Sequence, residues 1–199
     1  MGEIRMHTKD AHMNRINQIF LVTALFYCIF LLNACTFKSG FTKAQVTPQA
    51  RNAAPVKKAN LYVPMPADFM KNGVAEQKSG ARAQEALQKA LKKTDKQALF
   101  GVVQQTQEDA LKAAKGAGRN QLATIKILDW HRTATTLQND PDRGEVLITL
   151  YDVTTGERLR ADNLTCSGTP TTINNIGSYG PEDCLKEAFI QWSNAALTQ

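Results

Sequence analysis

The chain has 199 residues and a formal net charge of +6, with 24 Lys and Arg against 18 Asp and Glu, a length that suits one domain behind a non-globular N-terminal third. The basic excess is local: residues 36–58 carry Lys38, Lys43, Arg51, Lys57 and Lys58 and no acid. From Ala59 onward the two signs balance at about 16 each, so the folded part is close to neutral and the overall positive charge does not point to a nucleic-acid binder.

Arg15 precedes an apolar run over residues 19–32. At about 14 residues the run is shorter than the roughly 20 that span a bilayer as a helix. A basic flank, a run of that length and small residues after it describe a secretory signal over residues 1–34. Met13-Asn14-Arg15 already supplies a compact positive flank, so Met13 is the expected true start. The run ends in Leu32-Asn33-Ala34-Cys35, which resembles the bacterial lipobox, with Asn33 standing where Ser or Ala is usual. That resemblance implies cleavage before Cys35 and lipidation of its sulfur, with palmitate-type acyl chains holding the protein to the membrane. Two or more such chains make a lasting anchor. The alternative is an ordinary signal, or an anchor helix, with an incidental Cys. By the same resemblance Thr36, which is not the inner-membrane retention Asp, implies the outer membrane, with the domain facing the periplasm.

Residues 35–58 then read as a lipidated Cys and a flexible basic tether, with a mean reach of roughly 25 Å by random-coil scaling. No apolar period runs through them, and Pro48 and Pro55 interrupt them. Their positive charge suits either an anionic membrane surface or plain solvation. The folded domain is expected over residues 59–199.

Within it, residues 60–65 predict a first strand, stopped by Pro64 and Pro66. Residues 79–94 predict a helix with Ala83, Leu87, Ala90 and Leu91 on one side. Lys78, Arg82, Lys89, Lys92, Lys93 and Lys96 fall opposite, as a solvated face interrupted by Glu85 or as a contact for lipopolysaccharide or phospholipid. Residues 98–103 predict a second strand. Thr106 is a good N-cap with Glu108 and Asp109 in the first turn behind it, and the helix runs to about Ala117, with Gly118 at C′. Residues 122–130 predict a third strand, extending toward Thr136, before a turn at Asn139-Asp140-Pro141-Asp142. Residues 145–153 alternate as a strand, Thr154-Thr155-Gly156-Glu157 turns, and residues 158–166 return. Residues 169–179 read as a loop. Pro181, Glu182 and Asp183 open a last helix whose buried side is Leu185, Ala188, Phe189 and Trp192.

The order β-α-β-α-β-β-β-α predicts a single α/β domain. Strands separated by helices are parallel, the last three form an antiparallel meander, and helices pack on the mixed sheet. Of the four cysteines, Cys28 leaves with the signal and Cys35 takes the lipid. Cys166 and Cys184 remain in an oxidising compartment, as a disulfide worth roughly 3 kcal/mol or as two free buried thiols.

Ile127-Leu128-Asp129-Trp130, Thr135, Pro141-Asp142-Arg143 and Leu150-Tyr151-Asp152-Val153-Thr154-Thr155-Gly156 carry a wider resemblance. They resemble an uncharacterised family of Gram-negative lipoproteins, a DUF4823-like domain of unknown function, from the lipobox to the last helix. Here His131 and Arg132 follow the Trp directly, where the family shows an acid and then Arg, and a second aromatic near Leu137 is missing. The family implies no activity. The element order is also similar to periplasmic modules such as the N-terminal domain of TolB and lipoprotein cofactors of cell-wall synthases.

The sequence has no Gly-x-Ser-x-Gly elbow, and Gly116-Ala117-Gly118 closes a helix instead of opening one, so neither acyl-transfer nor P-loop chemistry is indicated. Asp140, Asp142, Gly144 and Glu145 lack the oxygen ladder of a Ca²⁺ loop and read as a turn. No metal and no cofactor is expected. Trp130, Arg132, Asp142 and Arg143 are the candidate interaction residues, against a core Trp beside a surface Arg. The first functional expectation is a non-enzymatic envelope module that binds a periplasmic protein, peptidoglycan or lipopolysaccharide. The second is an envelope hydrolase using Asp129, His131 and Asp142. A purely structural envelope protein is the third.

Overall fold

The computed structural model describes residues 41–51, 59–132, 141–168 and 180–197. In these the chain forms β1 (Phe41–Arg51), β2 (Leu61–Met65), β3 (Phe69–Lys71), β4 (Val74–Glu76), α1 (Ser79–Lys93), β5 (Ala98–Gln104), α2 (Gln107–Gly116), β6 (Gln121–His131), β7 (Arg143–Asp152), β8 (Arg158–Gly168) and α3 (Pro181–Leu197). Six strands make one sheet in the order β1-β8-β7-β6-β2-β5. β2 pairs in parallel with β5 and with β6, and β6, β7, β8 and β1 are antiparallel in turn. This is the expected α/β domain with a mixed sheet: parallel where a helix crosses over, antiparallel in the meander.

The short β2 shows how the layers arise. Leu61 and Val63 point to one face and belong to the main core, with Ala83, Leu87, Ala90 and Leu91 of α1 and Leu185, Ala188, Phe189 and Trp192 of α3. Tyr62 points to the other face, into a smaller cluster with Ala110 and Ala114 of α2, Leu122 and Val153. A period of two through β2 thus places α1 and α3 on one side of the sheet and α2 on the other.

The tether expected over residues 36–58 is corrected within residues 41–51, which are the edge strand β1. Its register on β8 runs from Phe41 opposite Gly168 to Arg51 opposite Arg160, with irregularities after Phe41 and after Pro48. Ala44 and Val46 pack against the main core. An edge strand covered on one side needs only such a thin apolar stripe, and Pro48 is tolerated because edge positions need not donate to a neighbour. The β3–β4 hairpin is a second addition. It turns at Asn72 and Gly73, both at positive φ (52° and 81°), a type I′ pair matched to strand twist.

Helix ends follow local chemistry. The Thr106 hydroxyl accepts the Asp109 N–H at 3.2 Å and donates to the Asp109 carboxylate at 2.7 Å. Behind α2, Arg119 N–H reaches the Ala114 carbonyl at 2.9 Å, and Gly118 takes φ 66° to allow it. α1 has no side-chain cap on Lys78. Asp68, ten residues upstream, accepts instead from Lys78 N–H at 3.0 Å and Gly80 N–H at 2.8 Å. A Cβ on Gly80 would lie 2.3 Å from the Pro66 carbonyl oxygen, so only Gly lets the helix start this close to the chain leaving β2.

Among the described residues one charged side chain lies in the core. Asp162, fully buried on β8, stands in line with Leu164 and Cys166 toward α3. Trp192 Nε1–H donates to its Oδ2 at 2.9 Å, and Arg160 Nε–H donates to the same oxygen. The bond holds the middle of α3 to the sheet. Replacing Asp162 with Ala leaves two buried donors without an acceptor and is expected to cost about 3 kcal/mol. Urea denaturation followed by Trp fluorescence measures this, and an unchanged midpoint would show that the carboxylate does not fasten the helix.

Candidate functional site

The residues singled out in the sequence gather at one end of the sheet, where β6 and β8 finish and β7 and α3 begin. His131 stands opposite Arg143, and Arg143 opposite Ser167. Trp130 is 2 % exposed and lies in the main core beside Cys166, Cys184 and Leu185. It therefore packs the domain and does not present its ring as an interaction surface. A bulge explains the placement. Ile127 faces Val146 but Asp129 faces Glu145, so Leu128 is an extra residue in β6. The inserted residue returns Trp130 to the face of Ile127 and turns Asp129 and His131 away from it.

Arg132 is engaged: its Nη2 donates to Glu182 Oε1 at 2.6 Å, and Arg82 Nε lies 3.9 Å from the same oxygen. One carboxylate at the start of α3 thus draws together the end of β6 and the first turns of α1. All three side chains are partly solvated, so the gain is about 1 kcal/mol or less. The Asp142 carbonyl accepts from Gly168 N–H at 2.8 Å. The Glu145 carboxylate, opposite Asp129, accepts from Asn163 Nδ2–H at 2.6 Å. Among the described residues no group of three or more His, Cys, Asp and Glu could hold a metal ion. Cys166 and Cys184 are bonded, with Cα atoms 5.6 Å apart, so the end of β8 is joined covalently to the first turn of α3. Cys35, Thr135, Leu137, Asp140, residues 52–58 and the loop 169–179 lie outside the described residues.

The structure divides the basic stripe of α1. Arg82 turns to Glu182, and Lys89 pairs with Glu85 at 2.8 Å, which raises the lysine above its ordinary pKa. Lys92 and Lys96 instead line a cleft of about 400 Å³ with Gln88, Leu91, Asp95, Gln97, Ala98, Phe100 and Arg119. This cleft lies where β5 and β6 start, at the end of the sheet away from Trp130. Arg119 was not singled out in the sequence; only its place after the α2 C-cap glycine marks it. Among the described residues no helix is long and apolar enough to cross a membrane.

No protein-family model matches the chain, and no curated protein matches it. Solved structures do. The PelC dodecamer from Paraburkholderia phytofirmans has a TM-score of 0.59 at 12% identity, over 79% of this chain and 99% of that one. A second crystal form of PelC from the same organism, carrying a substitution, gives 0.58 at 11% identity, over 79% and 100%. The lipoprotein GNA1162 from Neisseria meningitidis gives 0.45 at 14% identity, over 69% and 99%. The PelC likeness is one of fold.

The bond between Cys166 and Cys184 predicts a redox-dependent stability. The Cys184→Ser chain, or the reduced wild type, is expected to lose about 2–4 kcal/mol. Urea midpoints with and without dithiothreitol test this, and coincident curves would show that the bond adds nothing.

Proposed function

We propose that this chain is a lipid-anchored envelope protein whose α/β domain works by binding and not by catalysis. The observation that carries this reading is the state of the residues proposed for hydrolysis. Asp129 stands opposite Glu145, His131 opposite Arg143, and the neighbouring Trp130, Arg132 and disulfide are engaged in holding strand and helix ends together. That arrangement serves as a clasp for the fold.

Cys35 is the proposed lipid-bearing residue, behind a signal of residues 1–34 starting at Met13. The pattern Leu32-Asn33-Ala34-Cys35 after an apolar run supports it. Thr36 supports the outer membrane as the destination, with the domain facing the periplasm. Membership of the DUF4823-like lipoprotein family is proposed on the residues from Ile127 to Gly156. The partner class is a periplasmic protein or an envelope polymer such as peptidoglycan or lipopolysaccharide.

Two measurements test this. Cys35→Ala is expected to abolish incorporation of labelled palmitate and to leave an uncleaved chain by intact mass; labelling that persists would remove the anchor. Crosslinking in intact cells with mass spectrometry is expected to recover a discrete adduct. Adducts that merely follow the abundance of envelope proteins would count against a binding module.

A further inference from the structure

We infer that the cleft between the end of α1 and the start of β5 and β6 is a binding site for a phosphate-bearing ligand. This deepens the reading of the domain as a binding module. It is tested apart from that reading, because titration with a small anion needs neither the lipid at Cys35 nor a protein partner.

Charge is the first argument. Lys92, Lys96 and Arg119 line the cleft against one carboxylate, Asp95. Among the described residues neither Lys92 nor Lys96 has an ion-pair partner, whereas Lys89, on the same helix, is held by Glu85. In the domain from Ala59 onward the signs balance, so three cations meeting in one concavity are a local feature. With three cations against one carboxylate the concave wall is net positive, and it focuses the field on an anion that enters it.

The second argument is the way Arg119 is held. Its backbone is fixed by the α2 C-cap, where its N–H reaches the Ala114 carbonyl at 2.9 Å. Its side chain is fixed by Nη1, which donates to Asn60 Oδ1. Asn60 is itself held, because its N–H donates to Asn120 Oδ1 at 2.8 Å. The guanidinium is thus committed through one nitrogen and keeps the edge formed by Nε and Nη2. That edge presents two parallel donors and matches the oxygens of a phosphate. Nε is buried and has no hydrogen-bond partner among the described residues. A buried donor left unsatisfied is rare and asks for an acceptor. Arg119 lines the cleft, and an oxyanion bound there would supply that acceptor.

The third argument is the rest of the lining. Gln88 and Gln97 offer neutral donors, and Leu91, Ala98 and Phe100 form an apolar floor. A bare inorganic anion would use only the cations. A phosphate ester with a short alkyl or glycerol part would use both.

The test is a titration of the full chain in non-ionic detergent, followed by nuclear magnetic resonance at the Arg119 Nε–H and the Lys96 and Gln97 amides. Three ligands are compared: inorganic phosphate, glycerol 1-phosphate, and dihexanoylphosphatidylglycerol below its micelle threshold. Saturable shifts confined to those signals are expected at millimolar concentrations, with glycerol 1-phosphate tighter than inorganic phosphate. Binding should weaken by at least about tenfold in Arg119→Gln and in the double variant Lys92→Gln with Lys96→Gln. Lys89→Gln should stay within about twofold of the wild type, because that lysine faces Glu85 and not the cleft. The double variant alters exposed or partly exposed side chains and keeps the test sound if Arg119→Gln loosens the Asn60 contact. Preference for the short-chain lipid assigns the phosphate to a headgroup, and preference for glycerol 1-phosphate assigns it to a free ester. No saturable shift up to about 20 mM, or equal weakening by Lys89→Gln, overturns the site.

Discussion

The domain depends on a seam only two register positions long. β2 joins the antiparallel meander to the parallel edge, yet its ladder with β6 consists of Leu61 opposite Gln121 and Tyr62 opposite Leu122. Asn60 reinforces that seam from outside the strand. Its carbonyl accepts from Asn120 and Gln121 N–H at 3.2 and 3.3 Å, its own N–H donates to Asn120 Oδ1, and its side chain accepts from Arg119. One polar residue therefore uses its backbone donor, its backbone acceptor and its side-chain oxygen to join two halves of the sheet. The apolar pairs behind it, Leu61 and Val63 on one face and Tyr62 on the other, exclude the water that would compete for those bonds. The bond that secures the seam also sets the Arg119 guanidinium at the mouth of the cleft, so architecture and recognition share a residue.

The two ends of the sheet are built differently. Around Trp130, strand and helix ends are closed off by a covalent bond, a shared carboxylate and an indole in the core. Gly144 belongs to the same arrangement, since a Cβ there would lie 2.8 Å from Leu185. At the other end, α1 finishes with its carbonyls answered: Thr94 Oγ1–H donates to Ala90 at 3.1 Å and Lys96 N–H to Leu91 at 2.9 Å. With those carbonyls engaged, the negative pole of the helix is softened where the lysines collect. The first end is fastened by bonds between strand and helix ends, and at the second Lys92 and Lys96 line the cleft without an ion-pair partner among the described residues.

Much of this fold was legible because its signals are local. Thr106, Gly118, Gly156 and Pro181 each act within a turn, and the long strands β7 and β8 carry enough alternation to show a period of two. What escaped was non-local. β1 is an edge strand whose described apolar contacts are Ala44 and Val46, too few to stand out among Thr, Gln and Lys. Asn72-Gly73 is a strong hairpin signal, but strands of three residues are too short to display a pattern around it. The cap of α1 comes from Asp68, beyond the reach of any rule that looks at adjacent positions. The direction in which the candidate residues face was not legible for one reason: a continued alternation through Ile125 and Ile127 would put Asp129 and His131 inward, and the bulge at Leu128 reverses it. Arg119 was invisible because its role depends on Asn60, fifty-nine residues earlier in the chain.

The edge strand β1 sets a geometric bound that a long coil would not. Phe41 pairs with Gly168 and Lys43 with Ser167, in the row that continues to Arg143 and His131. The strand therefore enters the sheet at the disulfide end. Under the proposed acylation of Cys35, only residues 36–40 separate the thioether from the first paired residue, and even stretched taut they cover at most about 21 Å. β6 climbs from the cleft to the disulfide end over eleven residues, about 35 Å. β1 therefore sets the start of the described chain a strand's length from the basic mouth of the cleft, at the opposite end of the sheet.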